Sequence, residues 1–162
     1  MVEIPINAAV LASAYTADTT PPSLTSFLLD VDMVQLLLTF DDVMQTSTIA
    51  AQFITMQSEM NSTATTVSVP LTMATSTSPN DITMIATLST TDINNIKAES
   101  GLGTSVNNTF LALGSAAFRD VAGELVRTIL SSDALQASNV TADTTSPVLY
   151  EFYLNVSTGI LT

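Results

Sequence analysis

The chain has 162 residues, 46% of them hydrophobic, and its 15 acidic and 3 basic side chains give it a formal net charge of -12. That hydrophobic content, in a chain long enough to enclose a core, argues against disorder. The negative charge argues against nucleic acid and anionic membrane surfaces as partners, because both would repel the chain.

Short apolar runs alternate along the chain with clusters of Thr, Ser, Asn, Asp and Pro, which is typical of short strands joined by turns. The strands predicted from this pattern cover residues 23–30, 33–39, 51–57, 65–73, 81–88, 108–114 and 124–130. Only Val31 and Asp32 separate the first two, so a tight hairpin is predicted there.

One short helix is predicted over residues 91–99. Thr90, Thr91 or Asp92 can cap its first turn, and Gly101 can end it. Strands at near-regular spacing with one crossing helix predict an all-β fold, a two-sheet immunoglobulin-like Greek-key sandwich. The side chains predicted to point into its core are Phe27, Leu29, Leu36, Leu38, Phe53, Val67, Val69, Ile85, Leu111 and Leu113.

A segment of the sequence occurs twice. The stretch from Ala12 to Leu29 matches the stretch from Ala137 to Leu154 without a gap, at an offset of 125 residues. This predicts a tandem repeat of period 125, with one complete domain over residues 18–142. Residues 1–17 would then be the last strand of a preceding repeat, and residues 143–162 the first strands of a following one.

Two interpretations of these overhanging ends stay open. The chain is either a window from one long polypeptide or a subunit whose end strands complete its neighbours by strand addition. Neither end has the features of a targeting segment: residues 1–17 lack the pattern of a signal peptide, and no apolar run approaches the length of a membrane span. Insertion into a membrane is therefore not predicted.

Two phrases carry a family resemblance. Arg119-Asp-Val-Ala-Gly-Glu124 resembles the Asp-x-Ala-Gly-Asn turn near the end of bacterial-type immunoglobulin-like (cadherin-like) repeats, with Glu124 in place of the usual Asn. Asp18-Thr-Thr-Pro-Pro22 resembles their interdomain start, and residues 91–111 resemble long extracellular tandem repeats of unicellular algae and related protists. The resemblance implies stacked sandwiches in an extracellular or cell-surface protein, and it implies no catalytic residue.

Four Asn residues begin the Asn-x-Ser/Thr triplet that accepts N-linked glycans, namely Asn61, Asn107, Asn139 and Asn155. Only 11% of the residues are charged, so covalent glycans would supply the solubility that charge does not. The alternative interpretation is turn-forming Asn beside abundant Thr.

Structural calcium is the cofactor that the sequence raises, because calcium binds several oxygen ligands and Asp is the main acidic residue of the turns. The ligands predicted for it are Asp18, Asp30, Asp32 and Asp143, from a wider set that adds Asp41, Asp42 and Asp120. The alternative is that these carboxylates are solvated or cap turns. The second copy supports that alternative in part, with Asn155 and Ser157 where Asp30 and Asp32 stand in the first.

No enzyme is predicted. The chain has no His and no Cys, no phosphate-binding loop, and Lys97 lies in no Ser-x-x-Lys pattern. Neighbouring Asp41 and Asp42 would point opposite ways in a strand and make a poor acid–base pair. Six methionines are interpreted as core filler, namely Met33, Met44, Met56, Met60, Met73 and Met84.

The sequence therefore predicts a structural repeat of an extracellular, glycosylated fibre, with neighbouring copies of the same repeat as partners. The alternative from a different class is an adhesin module that binds a glycan or a surface protein through loops at one end of the sandwich. A filament joined by donor-strand exchange is the third hypothesis.

Overall fold

The computed structural model describes residues 11–146 and 148–161. Its strands are β1 Leu24–Asp30, β2 Gln35–Met44, β3 Ile54–Gln57, β4 Ser68–Pro70, β5 Ala74–Thr75, β6 Asp81–Leu88, β7 Phe110–Leu113, β8 Leu135–Gln136, β9 Asn139–Thr141, β10 Leu154–Asn155 and β11 Ile160–Leu161. The helix α1 is Thr90–Ala98. The described chain is thus mostly β-sheet with one short α-helix, in agreement with the predicted all-β class.

The strands form two main sheets and a separate hairpin. One sheet has the order β5-β6-β2-β1-β9, the other has the order β4-β3-β7-β8, and β10 pairs only with β11. Every pairing is antiparallel except that of β1 with β9, which is parallel. Strands β1, β2 and β6 form the longest ladders, and their alternating side chains bury one face of the larger sheet.

The core lies between the two main sheets and contains residues from both. Seven of the predicted core residues are buried, namely Phe27, Leu29, Leu36, Leu38, Val69, Leu111 and Leu113, and Val67 packs half-buried against them. Two core predictions are wrong. Ile85 is 41% exposed because β6 turns Met84 and Ala86 inward on either side of it, and Phe53 is 44% exposed in the 3-10 turn before β3.

Three of the six methionines that were predicted to fill the core do so. Met44, Met56 and Met84 lie on strands and are buried. Met33, Met60 and Met73 are exposed, because they lie in turns and connecting segments where no facing sheet covers them. A thioether in a turn fills no core, so the prediction is wrong for these three.

Several strand boundaries differ from the predictions. Strand β6 matches residues 81–88, but the predicted strand 65–73 shrinks to β4, and β5, β8 and β9 were not predicted. The predicted strand 124–130 is absent from the described chain. Its backbone instead bonds in turn to Phe118, Pro22 and Leu113, three separated segments that cannot form one ladder.

The helix begins one residue before its predicted start. Its N-cap is Ser89, whose hydroxyl accepts a hydrogen bond from Asp92 N at 3.0 Å. Asp92 is buried, and its carboxylate accepts bonds from the backbone and hydroxyl of Thr72 and from Met73 N, at 2.8–3.0 Å. These bonds tie α1 to the segment between β4 and β5, so Asp92 is not free to cap the helix.

The β1–β2 turn is longer than the two residues predicted, because β1 ends at Asp30 and β2 begins at Gln35. Asp30 Oδ1 accepts a hydrogen bond from Met33 N at 2.8 Å, and Val34 has a positive φ of 60°. The register pairs Leu29 with Leu36. In the separate hairpin, β10 and β11 pair Leu154 with Leu161.

Candidate metal centre

The chain reaches the sandwich through a linker that ends at Pro22. Arg127 holds this linker from the side: its backbone N donates to Pro22 O at 2.8 Å, and its Nε donates to Pro21 O at 3.3 Å. Ser23 N donates to the Asp41 carboxylate at 2.6 Å, which fastens the linker to β2. The residues just before Pro22 are therefore placed beside the end of β2.

A turn at residues 120–124 closes against the same end of β2. Asp120 forms an isolated bridge with Met44, and Val121 N donates to Val43 O at 3.1 Å. Gly123, with a positive φ of 98°, allows the turn to reverse so that Glu124 N reaches Asp120 Oδ1 at 2.8 Å. This is the segment that resembles the Asp-x-Ala-Gly-Asn turn.

Three carboxylates meet where the linker, β2 and this turn come together. One carboxylate oxygen from each of Asp18, Asp42 and Asp120 lies within 4.8 Å of the others. Asp18 is exposed, Asp42 is half-buried, and Asp120 is only 1% exposed. We call these three residues the acidic cluster.

The hydrogen bonds of the acidic cluster leave one buried oxygen without a partner. Asp120 Oδ1 accepts from Glu124 N, but its Oδ2 is buried and has no hydrogen-bond partner in the part of the chain that the structure describes. Asp42 Oδ1 accepts from Val43 N, the next residue, at 2.6 Å. Thr20 donates its backbone N–H to Asp18 Oδ1 at 2.9 Å, and this bond lowers the pKa of the Asp18 carboxyl, which stays ionised at neutral pH.

Among the described residues, no basic side chain forms an ion pair with the acidic cluster. Lys97 forms an ion pair with Asp143 at 2.8 Å, while Arg119 and Arg127 donate to the carbonyl oxygens of Gly123 and Pro21. Three carboxylate groups offer hard oxygen ligands of the kind that Ca²⁺ and Mg²⁺ take. The arrangement can therefore hold a divalent cation.

The structure brings Asp18 together with Asp42 and Asp120, and it places the other predicted ligands elsewhere. Asp30 holds the β1–β2 turn, and Asp143 pairs with Lys97. Asp32 Oδ1 accepts from the Thr145 hydroxyl at 2.8 Å. These three residues lie at the C-terminal end of β1, whereas Asp18 lies before its N-terminal end.

Sequence reasoning named Asp42 and Asp120 only in the wider set. Asp120 could have been singled out from the sequence, because it lies in the turn segment that carries the family resemblance. Asp42 had none, since its contact depends on how the 120–124 turn packs across the sheet.

All four predicted glycan acceptors have exposed side chains: Asn61, Asn107, Asn139 and Asn155. Asn107 differs from the rest because the Thr109 of its triplet is fully buried, with its hydroxyl bonded to Ser105 O at 2.7 Å. An enzyme that must contact this hydroxyl in order to glycosylate Asn107 would have to act before the chain folds.

Comparison with known proteins gives two structural likenesses. No protein-family description matches the chain, and no curated protein matches it. Domains 1–6 of the surface layer protein SbsC align with 85% of this chain at a TM-score of 0.40, and the S-layer protein rSbsC aligns with 84% at 0.39. Identity is 15% in both cases, and the chain spans 15% of each of those proteins.

Similarity of this degree establishes neither a shared family nor a shared function. Among the described residues, no helix has both the length and the apolar character needed to cross a membrane.

Proposed function

We propose that this chain is a structural repeat of an extracellular, glycosylated fibre or filament, built from immunoglobulin-like Greek-key sandwiches joined end to end. Its partners are neighbouring copies of the same repeat. Residues 18–142 form one domain, and residues 143–162 begin the next. The proposal places the protein at the cell surface or outside the cell.

The observation that carries the proposal is an exposed apolar face on the second hairpin and the linker before it. Leu149, Phe152, Leu154 and Leu161 are 58–78% exposed. At an offset of 125 residues they correspond to Leu24, Phe27, Leu29 and Leu36, which are 7% exposed or less. Leaving such side chains in water forfeits about 1.5–3 kcal/mol each. The remaining strands of a following sandwich would bury them.

The backbone supports the same correspondence. The pair Leu154–Leu161 has the register of the pair Leu29–Leu36. Asn155 Oδ1 accepts from Thr158 N at 3.2 Å, as Asp30 accepts from Met33 N. Both turns thus use an Asx side chain at the first position and a positive φ at the last.

The direction of the chain supports an end-to-end arrangement. Strand β1 follows the first linker, β9 precedes the second, and the two strands are parallel neighbours. The chain therefore enters the sandwich at one pole and leaves it at the other. Copies joined in this way stack along the strand direction and form a rod.

The exposed acceptors support the glycan part of the proposal. All four Asn residues are exposed, as a glycan acceptor must be. Secretion of the chain from a eukaryotic host, followed by glycopeptide mapping, tests this part. Asn61→Gln and Asn155→Gln should each remove one glycan, while absence of any glycan at all four sites would contradict it.

The tandem array is tested by the intact mass of the native material. This mass is measured under denaturing conditions, with and without chemical deglycosylation. A mass many times 17.0 kDa that falls on deglycosylation is the expected result. Large native particles that dissociate into chains of this size would support strand exchange between separate subunits instead. A bare, unassociated single unit would overturn the proposal and favour the adhesin alternative.

A further inference from the structure

The outer face of the larger sheet carries a row of apolar side chains that point away from the core. Leu28 pairs with Leu37, and Leu37 pairs with Ile85, on three adjacent strands. The residues on either side of each along its strand are more deeply buried or face the core, so these three point outward. Ile85 is 41% exposed, while Leu28 and Leu37 are half-buried. We call these three residues the apolar row.

One of the predicted glycan acceptors lies at the end of the apolar row. The parallel pairing of β1 with β9 sets Asn139 opposite Leu28, and paired residues point to the same face of a sheet. Strand β9 is the edge of this sheet in the part of the chain that the structure describes. Asn61 and Asn107 lie outside the strands, and Asn155 lies on the separate hairpin. Asn139 is therefore the acceptor that a main sheet holds next to apolar side chains.

We infer that the N-linked glycan of Asn139 turns back across the sheet and packs on the apolar row. The inference rests on the proposed function, since it needs the glycan that this function includes. Strands in a sheet lie about 4.8 Å apart, so the three pairings from Asn139 to Ile85 span about 14 Å. A short oligosaccharide has that length, so the inner sugars of the glycan reach the whole row.

The chemistry of this face suits a sugar. A pyranose ring has a face of C–H bonds, which can replace water over Leu28 and Leu37, and a rim of hydroxyl groups that both donate and accept hydrogen bonds. Polar side chains flank the apolar row on both sides, where such a rim would meet them. They are Ser26, Thr39 and Thr83 on one side, and Asp30, Gln35 and Thr87 on the other.

Covalent attachment favours the glycan over a second copy of the chain as the group that covers the row. A glycan on Asn139 begins beside Leu28, and a short tether of this kind gives an effective concentration in the millimolar range. A second copy would instead bring its own net charge of -12 towards this one. A glycan on β9 would also obstruct pairing of another strand with this edge.

The test uses the 162-residue chain secreted from a eukaryotic host, with Asn61→Gln, Asn107→Gln and Asn155→Gln, so that Asn139 is the remaining acceptor. Its melting temperature is compared with that of the same chain carrying Asn139→Gln, which has no glycan. We expect the glycan to raise the melting temperature by about 2–6 °C, because it buries apolar surface that is otherwise in water. Nuclear Overhauser effects should connect sugar protons with the methyl groups of Leu28 and Leu37.

Substitutions in the apolar row separate packing from a general effect of glycosylation. Leu37→Thr should remove most of the gain in melting temperature, and threonine at this outward position of a strand keeps the fold. Ile85→Thr should reduce the gain. Ile82→Thr is its matched control, the same change on the same strand at an exposed isoleucine outside the row, and it should leave the gain intact.

An equal gain in the Leu37→Thr and Ile82→Thr chains would overturn the inference, because the glycan would then act without the apolar row. Dimers of the glycosylated chain that Leu37→Thr dissociates would also overturn it and would assign the row to a second copy. Glycopeptide mapping separates this failure from failure of the proposed function. A bare Asn139 beside another occupied acceptor would overturn the inference alone, whereas four bare acceptors would overturn the glycosylated fibre as well.

Discussion

Val34 is strained by the turn that it closes. Its φ of 60° lies in the left-handed region, which costs a β-branched residue on the order of 1–3 kcal/mol. The corresponding residue in the second hairpin is Gly159, with a φ of 68°, where glycine avoids that cost. The two hairpins thus reach one backbone conformation with two different residues.

Val34→Gly should be better tolerated than a matched valine truncation. Val34 and Val140 both pack half-buried against the core, but only Val34 has a positive φ. We expect Val34→Gly to cost about 1–2 kcal/mol less than Val140→Gly, because release of strain offsets lost burial. Urea unfolding of the two variants measures the difference, and equal losses would show that Val34 stores no strain.

The Asp92 carboxyl should make the free energy of unfolding depend on pH in the acid range. Burial raises the pKa of its carboxyl, but the hydrogen bonds from Met73 N, from Thr72 and from Ser89 together lower it below 3.8. A carboxyl with a lowered pKa in the folded state stabilises the fold above the pKa of the unfolded chain. That contribution is lost as pH falls through the lower, folded value.

Asp92→Asn should therefore cost about 1–3 kcal/mol at pH 7, and the gap from the unaltered chain should begin to narrow as pH falls below about 3.8. Urea unfolding at pH 7 and pH 3 measures the gap before and after this narrowing begins. Asp133→Asn serves as the control and should show no such gap at either pH. A gap that persists unchanged at pH 3 would show that packing, and not charge, is the contribution of Asp92.

Helix α1 depends on a close approach at Gly103. This residue has a φ of 73°, and a Cβ built on it would lie 2.8 Å from Ile96 Cγ2, inside the core. The Ile96 side chain of the helix can occupy its place in the core only because position 103 carries no side chain. The sequence predicted the helix, but it gave no sign that Gly103 rather than Gly101 is the constrained glycine.

Gly103→Ala should destabilise the fold by about 2–4 kcal/mol, the combined cost of a left-handed alanine and an overpacked core. Gly101→Ala is the matched control two residues away, since nothing lies within 4 Å of its added Cβ. Its unfolding free energy should change by no more than about 0.5 kcal/mol. Similar melting temperatures for the two variants would contradict the contact with Ile96.

Local pattern predicted the long elements and missed the short ones. Strands β1, β2 and β6 carry enough alternating residues to show their period, and their existence was correctly predicted. Strands β5, β8 and β9 have only two or three residues each and are fixed by the ladders that they join. The same holds for the acidic cluster, whose three members come from distant parts of the chain and meet only after the sheets are assembled.

At the scale of the whole molecule, the second hairpin should contribute nothing to the first sandwich. Its strands pair with each other and with no strand of the two main sheets. A chain that ends at Ser146 should unfold with the same free energy as the full chain, within about 0.5 kcal/mol, and should be more soluble. A loss above about 1 kcal/mol would show that the hairpin packs back onto the sandwich.

The parallel pairing of β1 with β9 decides how one domain would respond to a pull on its two ends. Leu28, Leu29 and Asp30 align with Asn139, Val140 and Thr141, and flanking bonds join Ser138 N to Phe27 O and Val31 N to Thr141 O. Tension applied through the two linkers would slide these strands past each other. Their hydrogen bonds would then carry the load together in shear, whereas peeling would break them one at a time. In an atomic-force experiment, such a domain should yield in a single step at high force, and a proline at Val140 should lower that force.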